Sequence, residues 1–167
     1  AINRAWKDAG VSVQVAAGVS GVRYVIAGLS EAAQDELSKT LALVSERTEA
    51  SGTPLARPRI GLFRPWGSSM DEGWTRWLLE QYDFDLVTLR PADFRAPLRQ
   101  KVDVVILAED ARMPVEGGGG GRGRGAGPGG GGGGRSVRPE YADLVGAEDL
   151  ARFDQFVRAG GTVVCLG

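Results

Sequence analysis

The stretch that decides the fold is residues 59–82, RIGLFRPWGSSMDEGWTRWLLEQY. Its first apolar run, Ile60, Gly61, Leu62 and Phe63, reads as a short buried strand. Pro65 and Gly67 punctuate a tight turn. Ser69 followed three residues later by Glu72 is a capping box that starts a helix, and Asp71 and Glu72 stand where the helix dipole favours negative charge. Trp74, Trp77 and Leu78 share one helical face, the pattern of a helix packed on a sheet. A strand that turns at once into a helix is the repeating unit of an α/β sheet, and ligands of open α/β sheets bind at the carboxyl ends of the strands.

The same rhythm continues toward the C-terminus. DFDLVTL reads as a strand, PADFRAPL as a short helix or turn, and VDVVILAE as a strongly apolar strand, hence central and covered on both faces. AEDLARFDQFVRAG reads as a helix with Leu150, Phe153 and Val157 on its inner side and Gly160 as its C-cap, and TVVCLG as the closing strand. This alternation predicts an α/β fold of three layers, a mostly parallel sheet with helices on both faces and right-handed crossovers.

Upstream, residues 1–52 read as a helix, a hairpin and a second helix. Val11, Val13 and Val15 alternate with period two, glycines 18 and 21 mark a turn, and RYVIAG returns as the second strand. Ser30 caps a helix expected to run to about Thr48, with Ala33, Leu37, Leu41 and Val44 on one face. Residues 53–58 read as a linker and residues 59–167 as the α/β domain. Within that domain, residues 116–138 form a glycine-rich insertion, expected to be disordered because ordering so much glycine costs backbone entropy without burying apolar surface. Its G-x-G spacings do not lie between a strand and the helix it opens, so they are no dinucleotide fingerprint.

Composition removes several function classes. The chain has 167 residues and a net charge of −1, so it offers no electrostatic footprint for nucleic acid. No apolar run reaches the roughly 18 residues of a membrane span, and Asn3, Arg4, Lys7 and Asp8 interrupt any secretory leader. One cysteine, Cys165, excludes an internal disulfide framework. The sequence contains no histidine. A Ser-His-Asp triad, a Cys-His pair and a histidine-ligated zinc site therefore cannot be completed within it, and no catalytic or metal-ligating residue is assigned.

The candidate ligand site is a crevice at the strand ends made of Arg64, Trp66, Ser68, Asp71, Glu109 and Asp110. Arg64 suits a carboxylate or phosphate, or it pairs with Asp71, Glu72 or Glu109 and pins the turn. Trp66, in the turn, is the tryptophan expected to be exposed. The cluster has no nucleophile with a base, so it reads as a binding site. Cys165, in the run Val164-Cys165-Leu166, is expected to be a buried structural cysteine.

The segment IGLFRPWGSSMDEGWTRWLLEQ, residues 60–81, resembles IGLYRPW…SMDEGWTRWLLEQ in the C-terminal region of bacterial zinc carboxypeptidases of the carboxypeptidase A/T type. LARFDQFVRAGGTVV, residues 150–164, resembles LRRFVEAGGTLV of the same region, and AINRAWKDAG and SEAAQDELSKTLALV resemble the stretch preceding it. The resemblance covers nearly the whole chain except the insertion. It implies a class I glutamine-amidotransferase-like, flavodoxin-like domain appended to the peptidase. It also implies that zinc, bound by two histidines and a glutamate, belongs to the upstream peptidase domain, which would be this domain's partner, with a peptide or small molecule as possible ligand. A secreted or periplasmic location follows from the same resemblance.

The function expected on this basis is a non-catalytic accessory or binding domain of a secreted zinc carboxypeptidase, incomplete at its C-terminal end because TVVCLG closes without a covering element. Two alternatives remain. One is an amidotransferase-like enzyme fragment using Cys165, although Val163 stands where that family's elbow has glycine. The other is a stand-alone small-molecule binding module.

Overall fold

A computed structural model describes residues 1–18, 21–49, 51–111, 113–115 and 143–167. The expected glycine-rich insertion lies outside them. The chain divides into two compact units, residues 1–58 with 81–84, and residues 59–80 with 85–167.

In the first unit, helix α1 (Ile2–Ala5) is a single turn, shorter than the sequence predicts. Strands β1 (Ser12–Gly18) and β2 (Gly21–Ala27) form the expected antiparallel hairpin, with Val13 opposite Ile26 and Val15 opposite Tyr24. The segment read as a linker contributes strand β3 (Thr53–Leu55), which pairs antiparallel with β1 through Val13–Leu55 and Val15–Thr53. Its Pro54 gives up one backbone donor, which an edge strand tolerates.

Helix α2 (Glu31–Thr40) starts as predicted, with Ser30 Oγ accepting the Ala33 N–H at 3.2 Å. It stops eight residues before Thr48. Ala42 takes φ 50°, and Leu43 N–H returns to the Ser38 carbonyl at 2.9 Å, closing a left-handed C-terminal cap. Alanine is not a stop signal in sequence, so the local pattern alone extends the helix past this cap. No residue of α2 is fully buried.

The second unit is built on strands β4 (Ile60–Phe63), β5 (Leu86–Leu89), β6 (Val104–Leu107) and β7 (Thr162–Cys165), in the order β5-β4-β6-β7, all parallel. Helices α3 (Met70–Gln81) and α4 (Ala147–Arg158) flank the sheet. This is the α/β architecture expected, and its layout is consistent with a flavodoxin-like fold. All four residues of β4 are buried, as an inner strand covered on both faces requires. Gly61 leaves room for its neighbours: a Cβ there would lie 2.5 Å from Leu89 Cδ1.

On the face shared by Phe63, Leu89 and Val105, the core closes with Phe94 and Phe156. Phe63 meets Phe94 edge-on at 5.8 Å, and Phe94 meets Phe153 edge-on at 5.3 Å. Phe156, rather than the predicted Leu150 and Val157, is the deeply buried residue of α4; those two are exposed. Gly160, at φ 83°, ends α4 as predicted, with Gly161 N–H bonded to the Phe156 carbonyl at 2.9 Å. Val115 and Val145 form an isolated parallel bridge, with Val145 fully buried.

Two further expectations are corrected. Trp74 and Trp77 pack edge-on against each other at 5.8 Å, but they do so in solvent, 63% and 53% exposed. With Met70 and Leu78 they make the outer face of α3 apolar, while the inner face carries the buried Glu72 and the half-buried Thr75 and Arg76. Periodicity located the stripe, but only the tertiary arrangement says which way it faces. Cys165 is exposed, because β7 is an edge strand and not an interior one.

Candidate functional site

The carboxyl ends of β4 and β6 deliver the predicted site residues, and the structure sorts them into separate groups. Glu109 is exposed beside Gly167 at the end of β7. Ser68 is exposed in the turn, and Asp71 lies half-buried in the first turn of α3.

Asp110 is committed to the N-terminus of α3. Its Oδ2 accepts the Met70 N–H at 2.8 Å, and its Oδ1 accepts a short hydrogen bond from Ser69 Oγ. Ser69 Oγ in turn accepts the Glu72 N–H at 3.0 Å. The Ser69 hydroxyl above all, with the backbone amides of the first turn, holds the Asp110 carboxyl below its ordinary pKa. A helix N-terminus at a strand's carboxyl end is the usual seat of a phosphate. Here the chain's own carboxylate fills it.

The capping box is therefore half formed. Glu72 does not reach back to the Ser69 amide. It is 4% exposed, and its Oε1 accepts Arg76 Nε at 2.9 Å and Nη2 at 2.5 Å. Arg64 approaches the other oxygen only to 3.9 Å. The i,i+4 spacing of Glu72 and Arg76, together with burial, outcompetes the reciprocal cap.

Arg90 is the site residue the sequence reading missed. Arg64 follows Phe63 in β4 and Arg90 follows Leu89 in β5, and Phe63 and Leu89 are partners in the ladder. The Arg64 N–H donates to the Leu89 carbonyl at 2.8 Å, so the pairing continues one residue past the strands. Arg90 Nη1 donates to the carbonyls of Pro65 at 2.8 Å and Arg64 at 3.2 Å. Its guanidinium carbon lies 4.1 Å from the centre of the Trp66 ring. Burial, and then the neighbouring charge of Arg64, push the Arg90 pKa down. The signal was present as a repeated Arg-Pro dipeptide, Arg64-Pro65 and Arg90-Pro91, at the ends of two consecutive strands.

At the other end of β4, Arg59 shows what a purely structural arginine looks like in this fold. It meets Asp103 through Nε at 3.0 Å and Nη2 at 2.9 Å, and donates to the carbonyls of Arg99 and Gln100 at 2.7 Å each. The Asp103 carboxyl is held well below the usual range by these bonds. Arg64 has no such set of partners.

Among the described residues no group of three or more His, Cys, Asp or Glu side chains could hold a metal ion, and no helix is long and apolar enough to cross a membrane. Chemically, the strand ends offer guanidinium groups and an aromatic ring, the means of binding an anion.

Comparison with known proteins finds no matching family model, no matching curated protein and no matching solved structure.

Proposed function

We propose that the chain is a non-catalytic accessory domain of a secreted zinc carboxypeptidase, acting through binding at the carboxyl edge of its parallel sheet. The observation that carries the non-catalytic part is Asp110. By filling the N-terminus of α3, it ties up the position where an α/β enzyme of this layout would hold a phosphate or a developing anion. The remaining polar groups of the crevice, Arg64, Arg90, Ser68 and Asp71, include no nucleophile paired with a base. The parent's identity is supported by the likeness of residues 60–81 to the carboxypeptidase C-terminal region. Reading the coding sequence upstream of Ala1 tests it: an H-x-x-E motif with a later histidine is expected, and several hundred upstream residues without one would overturn the assignment.

A second reading, an amidotransferase-like enzyme using Cys165, is favoured by one observation, the exposure of that thiol at the end of β7. It requires a histidine followed by an acidic residue in sequence beyond Gly167, and glutaminase activity of a chain extended to include them.

A further inference from the structure

We infer that the carboxyl edge of the sheet binds a small dianionic oxyanion group, the chemistry shared by a phosphate monoester and a dicarboxylate, with Arg64 as its principal ligand and Arg90 stacked on Trp66 as the adjoining wall. This rests on the reading of the edge as a binding site and names what it takes.

The argument is one of charge and of unequal commitment. Arg64 and Arg90 leave adjacent parallel strands side by side, and Arg76 meets them from α3 through Glu72. Two guanidiniums, Arg64 and Arg76, therefore approach one buried carboxylate, with Arg90 beside them. Arg76 takes that carboxylate with two nitrogens. Arg90 is fixed by neutral groups, the carbonyls of Arg64 and Pro65 and the Trp66 ring. Neither oxygen of Glu72 is within hydrogen-bond distance of Arg64, whose side chain is 53% exposed.

Two nearby acids are committed elsewhere. Asp93 accepts the Arg90 backbone N–H and is paired with Lys101 at 2.6 Å, and Asp110 is committed to α3. Counting Arg64, Arg76 and Arg90 against Glu72 leaves two positive charges, which a dianion matches. A guanidinium fork that keeps unused donors in a partly desolvated setting binds carboxylate or phosphate oxygens in pairs. Burial first, and then the positive charge of Arg64, push the Arg90 pKa down. Because Asp110 occupies the helix N-terminus, the anion is directed to the arginines.

The test is calorimetric titration of the whole chain at constant ionic strength with inorganic phosphate, succinate and acetate. The variants are Arg64→Gln, Arg64→Lys and, as a control, Arg158→Gln on the exposed face of α4. Phosphate or succinate should bind more tightly than acetate. Binding should weaken roughly tenfold or more in Arg64→Gln, less in Arg64→Lys, and not at all in Arg158→Gln. Binding of phosphate alone identifies a phosphate ester as the ligand class, and binding of succinate alone a dicarboxylate. No heat from either dianion, or equal affinity in wild type and Arg64→Gln, overturns the inference. It would leave the assignment of the parent protein untouched, since the upstream sequence decides that separately.

Discussion

Asp110 Oδ2 accepts the backbone N–H of Met70 at 2.8 Å, so a carboxylate leaving β6 caps the helix that comes after β4. The contact joins two strand ends through a single side chain and satisfies the first backbone amide of α3.

The Asp110 cap should be pH-dependent. The folded-state pKa of Asp110 lies below its unfolded value, because Ser69 and the amides of the first turn of α3 favour the charged form. The stabilisation is therefore present above the ordinary carboxylate range and is lost as pH falls through the depressed folded value. Asp110→Asn should unfold at lower urea than wild type at pH 7, and the gap should close on acidification. A gap that widens toward low pH would contradict the assignment. Ser69→Ala, which removes the side-chain acceptor for Glu72 N–H, should cost about 1 kcal/mol by the same measurement.

Glu72 and Arg76 form the most buried ion pair at the strand ends. Glu72→Gln should cost about 1–3 kcal/mol, because Arg76 then keeps its charge without its partner. In a double-mutant cycle with Arg76→Met the two losses should add to clearly more than the loss in the double variant. Strict additivity would mean that the pair is not coupled.

The packing of β4 predicts the response at Gly61. Its missing side chain is what lets Leu89 and Val102 close over the strand, so Gly61→Ala should destabilise by about 1–3 kcal/mol through overpacking. Phe94→Ala, which empties the centre of the aromatic cluster, should cost about 3–5 kcal/mol. Urea denaturation monitored by circular dichroism distinguishes the two from surface changes.

Trp74 and Trp77 should behave as surface residues despite their size. Trp74→Gln and Trp77→Gln should each shift stability by less than about 0.5 kcal/mol, and acrylamide should quench both in the folded chain. Losses of core magnitude would return them to the interior.

In the first unit, Asp83 is held by Lys7 and by Arg4 Nε at 2.7 Å, and its carboxyl pKa is lowered to about 2, Lys7 contributing most. Its folded value lies below the unfolded ~3.9, so its stabilisation is complete above about pH 4 and disappears as pH falls through about 2. Asp83→Asn keeps a residue that tolerates the observed φ of 60° and removes only the charge. Its melting temperature should fall below wild type at pH 6 and coincide with it below pH 2.

The α/β alternation, the β1–β2 hairpin, the Ser30 and Ser69 caps and the Gly160 stop were all legible in the residues, because each depends on neighbours a few positions away. Periodicity, a capping side chain and a glycine at positive φ are local properties, and they settle where strands and helices lie. Other features depended on partners distant in sequence. The tryptophans of α3 face outward because Glu72 and Arg76 take the inner side. Cys165 is exposed because β7 lies at an edge. Thr53–Leu55 is a strand because β1 offers it a free side. Arg64 and Arg90 are neighbours because parallel pairing sets Phe63 beside Leu89, residues 26 positions apart (89 − 63). Hydrogen-bond periodicity acts along the chain, while burial and charge balance are summed over whatever the folded chain brings together. Residues 59–82 thus announce the α/β unit by themselves, and the sheet that forms around them determines which of their side chains come together at the strand ends.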